Sequence, residues 1–245
     1  MNSVASYNER LFTRGVLRPC FHRRRYLWLA HELKRLNLRP RRIIELGCFD
    51  AKTLSYLPCF PEYYLGLDAN WEGGLDIGKA LWEADSRVKL QTCYRPDDID
   101  VRPDERFDVG IGMEVFEYLA EDLVEAYLAR LADLIDGYLF VCMPVERGLP
   151  FAIRYLGKRV FGLKRFSVTP HQFFALLLGH TSQVTHEGHK GFDHQILIRT
   201  IARYFDVVRV TGVYPGFGPP SLNLQLAVTA RSRPQTAMQS QTRAC

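Results

Sequence analysis

The sequence predicts a doubly wound α/β fold: a mainly parallel seven-stranded sheet with helices on both faces and one antiparallel strand near its end. Three observations predict it. Apolar strand-like runs alternate with segments of helical periodicity along most of the chain, the pattern of a covered parallel sheet. Right-handed crossovers then leave few topologies. The last two strand-like runs, in "DVVRVTGVYPGFGPPSLNLQLAVTAR", are joined by a Gly/Pro loop with no helix between them, so they pair as antiparallel neighbours.

In order, "FHRRRYLWLAHELKRLNL" reads as a helix, with Tyr26, Leu27, Leu29, Leu33 and Leu36 at helical spacing. It closes an N-terminal helical cover, residues 1–40. "RRIIELG" is the first strand, and "AKTLSYL" begins the helix after it. "YYLGLDA" is the second strand, "IGKALWEAD" a helix, "RVKLQTC" the third strand and "FDVGIGM" the fourth. "LAEDLVEAYLARLADLI" is a strongly amphipathic helix and "GYLFVCMPV" the fifth strand. "QILIRTIARYF" is the last helix, before the two closing strands. Residues 41–230 thus form one Rossmann-like domain. A long insertion at about 146–190, with "HQFFALLLGH" as a short helix, departs from the alternation. It follows the fifth strand, on the edge where such sheets bind ligands, and reads as a cap. From Arg231 the chain is polar and unpatterned, which predicts a disordered tail over 231–245.

Composition narrows the function classes. The 245 residues are 47% hydrophobic and 24% charged, as in a soluble globular protein. No apolar run reaches the ~20 residues of a membrane helix. The six cysteines are scattered with no CxxC pair, so no zinc site or disulfide framework is indicated, and reduced thiols point to the cytoplasm. The net charge of +5 is unevenly placed. Arginines crowd the first forty residues, and Arg154, Lys158, Arg159, Lys164 and Arg165 are interleaved with aromatics in the cap. Such patches meet phosphate, nucleic acid or anionic lipid, or are solvated helix faces.

The site is read from two turns. Gly47, after the first strand, lets backbone approach a ligand. Asp68 ends the second strand about 20 residues on, the spacing at which an acid accepts hydrogen bonds from two ribose hydroxyls. Asp68 also fits a turn or helix N-cap. Phe49 and Ala51 replace the further glycines that a pyrophosphate loop needs, so a dinucleotide is disfavoured. S-adenosylmethionine has a ribose and no phosphate. Glu45, two residues before the glycine, suits its ammonium, or a water bound to it, and would repel pyrophosphate.

These stretches carry a resemblance. "IIELGCFDAKTL" resembles the first motif of the class I S-adenosylmethionine-dependent methyltransferases, "YYLGLDAN" their second-strand motif, and "FDVGIGMEVFEYL" their fourth-strand motif. The reversed final strand matches that fold. The resemblance covers roughly 41–145, and more loosely 191–231. It implies S-adenosyl-L-methionine as cofactor, held by Glu45, Gly47, Cys48, Phe49, Asp68 and Ala69, with Cys93 near the adenine and Met113 and Glu114 at the methyl end. Phe49 and Ala51 depart from the family's glycines. Tyr118 stands where many members have histidine, and is not carried over as a base.

"HEGHKGFDHQ" groups His186, His189, Asp193 and His194. Its spacing matches no zinc pattern, and no metal is assigned. His189 and His194 are the candidates for a base that takes a proton from an acceptor hydroxyl, ahead of His171 and His180 in the cap. The other reading is an ordinary loop in which Asp193 caps the following helix. The expected activity is methyl transfer, to oxygen of a small molecule or glycan. The cap's cations and aromatics allow peripheral membrane contact or a lid packed on the core, and no nucleic-acid recognition module is present. Two alternatives stay open: a methyltransferase-like fold that binds a partner without turnover, and a nicotinamide-dependent enzyme.

Overall fold

The computed structural model describes residues 17–160, 168–184, 191–216, 220 and 223–234. Seven strands form one sheet in the order β3-β2-β1-β4-β5-β7-β6. They are β1 (Arg42–Leu46), β2 (Tyr63–Asp68), β3 (Val88–Thr92), β4 (Phe107–Met113), β5 (Ile135–Pro144), β6 (Phe205–Tyr214) and β7 (Gln225–Ser232). β1 to β5 are parallel, and β7 runs antiparallel to both β5 and β6. This is the expected sheet with its single reversed strand. β7 continues through Ser232, so it takes the first two residues of the expected tail; 235–245 lie outside the described residues.

Central strands are near-continuously apolar because both their faces are covered. Alternate residues of β1 serve two cores. Ile44 and Leu46 join a cluster with Leu128 and Leu131 of α3 (Glu121–Leu134) and Leu197 and Ile201 of α6 (His194–Tyr204). Ile43 joins the other, with Trp28, Leu29 and Leu33 of α1 (Leu17–Arg35) and Leu75 of α2 (Gly74–Trp82). In α1 the register differs by one position from the expected stripe: Trp28 is in the core and Leu27 is exposed. The larger indole fills the space over Phe140, which it meets edge-on. Glu32, also buried, accepts hydrogen bonds from Arg35 at 2.7 Å and from Thr229 of β7 at 2.9 Å, so α1 is pinned across the sheet.

Two expectations are corrected. The helix expected from Ala51 is only a 3₁₀ turn, Lys52–Tyr56. Leu57 is extended before Pro58, and a residue preceding proline is pushed out of the helical region. The cap contains two helices, α4 (Gly148–Val160) and α5 (Pro170–Leu178), rather than one. α5 starts with Thr169 capping Gln172 and a proline at its first position, and ends at Gly179 with φ +85°. Gly157, a poor helix former, lies inside α4. The two helices share a small core of Phe151, Ala175, Leu176 and Val184. No described helix is long and apolar enough to cross a membrane.

Candidate functional site

Strand order reverses between β1 and β4, and in such sheets ligands sit beyond the carboxyl ends of the strands at that point. The chain leaves β1 through Gly47, φ +72°, whose amide donates to the Leu67 carbonyl at 2.7 Å. A Cβ on Gly47 would also come within 2.7 Å of the Val115 side chain, so glycine is required by both conformation and space. Phe49 and Ala51 then adopt φ of +51° and +58°. The loop therefore keeps a left-handed residue at every second position although only the first is glycine. Each non-glycine residue held there costs about 1–2 kcal/mol. The Phe49 ring fits because of a second glycine: a Cβ on Gly74, at the start of α2, would lie 2.2 Å from it.

Asp68 joins the loops after three strands. Its Oδ2 accepts from the Phe49 amide at 3.0 Å, its Oδ1 accepts from the Trp71 amide at 3.3 Å, and its carbonyl accepts from the Cys93 amide at 2.9 Å. Burial raises its pKa, and backbone bonds from Phe49, Trp71 and Asn70 oppose the rise. Asp68 is thus tied through Phe49 to the loop that begins at Gly47, and it is also a turn residue through Trp71. Ala69 is exposed on the same edge.

Glu45 sits differently from expectation. It is buried beneath the loop, accepting from Thr53 Oγ1 and Tyr64 Oη, both at 2.6 Å, and burial pushes its pKa up to about 7. It braces the 3₁₀ turn against β2 from beneath the loop rather than being open to a ligand's ammonium. Cys48 is likewise buried, its sulfur against Gly66. The Cys93 thiol lies in the core beside Tyr127 Oη, at 3.5 Å, while its neighbours Thr92 and Tyr94 at the end of β3 are exposed.

The second half of the edge follows β4 and β5. Met113 ends β4 in the core beneath α1. Glu114, φ +57°, forms a short ion pair with Arg25 of α1, lies 3.6 Å from His22 Nδ1 and accepts from Gln225 of β7. Glu117 is fully buried, and burial, reinforced by Glu114, holds its carboxyl well above the usual range. Glu146, just after β5, is buried in an ion pair with Arg154 of α4, whose own pKa burial lowers to about 10. Five of the six non-glycine residues with positive φ among those described, Phe49, Ala51, Asn70, Glu72 and Glu114, lie on this edge. Strain of that kind concentrates where a structure holds ligands.

Asp193 caps α6, accepting from the Gln195 amide at 2.8 Å, and pairs with Arg147 at 2.6 Å. The capping role is therefore real. His194 follows it, half-buried, with Nδ1 buried and lacking a hydrogen-bond partner; burial lowers its pKa and so favours the neutral imidazole. His186 and His189 lie outside the described residues. Among those described, no three His, Cys, Asp or Glu side chains gather as metal ligands. A shallow depression lined by Arg42, Tyr63 and Lys89 lies toward the amino ends of their strands, away from this edge.

With this geometry the fold has relatives. No family model matches the chain. An N-methyltransferase from Bradyrhizobium japonicum WM9, solved with S-adenosyl-L-homocysteine, superposes with a TM-score of 0.60 over 94% of each chain at 12% identity. A magnesium protoporphyrin IX methyltransferase from Synechocystis PCC 6803, also with bound S-adenosylhomocysteine, gives 0.58 over 92% of each chain at 14% identity. The chain has the class I S-adenosylmethionine-dependent methyltransferase fold. In sequence, a small RNA 2′-O-methyltransferase of Mus musculus is 30% identical over 162 residues. That match takes in 59% of this chain and 38% of the relative, so the chain spans well under half of that protein's length. Within this methyltransferase fold, the residues that sequence reading missed are His22, Arg25, Glu146 and Gln225. Only the position of Glu146, directly after a predicted strand, marked any of them in advance.

Proposed function

We propose that this protein is an S-adenosylmethionine-dependent methyltransferase that methylates an acceptor oxygen on a small molecule or glycan. The observation that carries the reading is the bond from the Phe49 amide to Asp68, which closes the left-handed loop of Gly47, Phe49 and Ala51 against the acid that ends β2. That carboxylate accepts from the ribose hydroxyls, and the loop's backbone accommodates the amino-acid portion without the glycines a pyrophosphate needs. Cys48 and Ala69 support this loop and turn. Glu45 acts from beneath by fixing the turn. Bound there, S-adenosylmethionine supplies an electrophilic methyl group.

The chain's own residues do the rest. Met113 and Glu114 border the methyl end, and the Arg25 pair fixes the Glu114 side chain. Orientation of the acceptor in a site shielded from water supplies most of the acceleration. His194, held neutral by burial, or His189 takes the acceptor's proton.

A second acceptor is favoured by a specific observation. The 30%-identical mouse relative is named as a methyltransferase of RNA 2′-oxygens, so a ribose hydroxyl of RNA is the alternative oxygen. Incubation with methyl-labelled S-adenosylmethionine and separated fractions of cell extract tests both. Label in the small-molecule or glycan fraction supports the first reading. Label in RNA transfers the proposal to the second, and no label in any fraction overturns methyl transfer.

A further inference from the structure

Leu149, Ile153 and Leu156 recur on one side of α4 at spacings of four and three, and each is a little over half exposed. On α5, Phe174 is 58% and Leu178 70% exposed, one turn apart. The inner sides of the same helices are already satisfied by the core of Phe151, Ala175 and Leu176. The pair is therefore apolar on two sides, and only one of them is covered by the described residues. Scattered exposed leucines need no explanation, but two adjacent helices with the same pattern do.

The charge around this face says what covers it. From Arg147 to His186 the sequence has six lysines and arginines and no aspartate or glutamate. Arg147 and Arg154 are used by Asp193 and Glu146, acids from outside the stretch. Arg159 is exposed near the end of α4. A second copy of the chain would bring the same cations face to face. RNA would be met by aromatic stacking, whereas four of the five exposed residues are aliphatic. An aliphatic face on a stretch of sequence that carries cations and no acids is complementary to anionic lipid headgroups over acyl chains.

We propose that the outer face of α4 and α5 seats this protein on an anionic lipid bilayer. α4 itself adjoins the carboxyl edge, because it begins four residues after β5 ends and supplies Arg154 to Glu146. Seating is independent of methyl transfer, since it needs neither cofactor nor acceptor.

Flotation of the full chain with vesicles tests it, using phosphatidylcholine alone and phosphatidylcholine mixed with phosphatidylglycerol. The wild-type protein floats with the mixed vesicles, and does so less as salt is raised. The combined variant Ile153→Ser, Leu156→Ser, Phe174→Ser, Leu178→Ser lowers the bound fraction roughly tenfold or more. Leu81→Ser, which changes an exposed leucine on α2, leaves it unchanged. If the combined variant fails to fold by circular dichroism, Leu178→Ser alone shifts binding in the same direction. The proposal is overturned if the wild type stays unbound, or if the folded combined variant, or Leu178→Ser in its place, floats as well as the wild type. It is equally overturned if the substitutions instead dissociate a wild-type dimer or abolish retention of an RNA oligomer.

Discussion

Along the carboxyl edge of the sheet, the carboxylate that ends β2 is held by backbone amides, whereas the carboxylates after β4 and β5, Glu114 and Glu146, are held by side chains. Phe49 reaches Asp68 across 19 residues, and Gly47 bonds the strand that Asp68 ends. Glu114 is held by Arg25, 89 residues away, and by Gln225, 111 residues away. The first half is specified by the local path of the chain and is expected to survive when distant contacts are lost. The second depends on α1 and α4 being docked, and it carries buried charge that is costly once a partner is missing.

The largest expected effect comes from breaking that dependence. Arg25→Ala removes the partner of Glu114 while Glu117 stays buried nearby, so it should destabilise the fold by about 3–5 kcal/mol. Urea unfolding measures this. A loss within error of zero would mean that the two halves do not differ in the way described.

Glu45 gives the next effect. Its carboxyl is raised to about 7 in the folded state, so the folded protein holds this proton more tightly than the unfolded chain does. That contribution is fully present below the ordinary carboxyl pKa and is lost as pH rises through about 7, amounting to roughly 3 kcal/mol. Glu45→Gln should flatten this part of the stability profile. An unchanged slope would remove Glu45 from beneath the loop.

Smaller still is the effect at Gly74. Gly74→Ala puts a methyl group against the Phe49 ring and should cost about 1–3 kcal/mol. Most of that should return in the double variant Phe49→Ala, Gly74→Ala, because the two sites share one contact. Additive losses would show that the ring and the glycine are not matched, and the local account of the first half would fail.

The difference between the halves is also the difference between what was legible in the sequence and what was not. Strand–helix alternation gave the sheet, and the helix-free link between the last two runs gave its reversed strand. Gly47 and Asp68 stood out because their roles follow from position along the chain: a turn after one strand and the end of the next. Arg25 could not stand out, since in "HRRRY" it differs from Arg23 and Arg24 only in facing the interior once α1 has docked. Glu45 was placed at the right strand end, but its hydroxyl partners come from Thr53 and Tyr64, whose approach depends on the first crossover being a short turn. That turn has the start of a helical pattern in sequence and is cut short where Leu57 is extended before Pro58. Gly74 had no meaning in sequence until the ring it admits was seen.

Titration calorimetry with S-adenosyl-L-homocysteine, on the wild type and on Asp68→Ala, tests the central claim most directly. The account predicts saturable one-to-one binding to the wild type, weakened by about tenfold or more in Asp68→Ala, as expected for loss of a charge-assisted ribose contact. Binding of equal strength in both proteins, or none to the wild type, would contradict it.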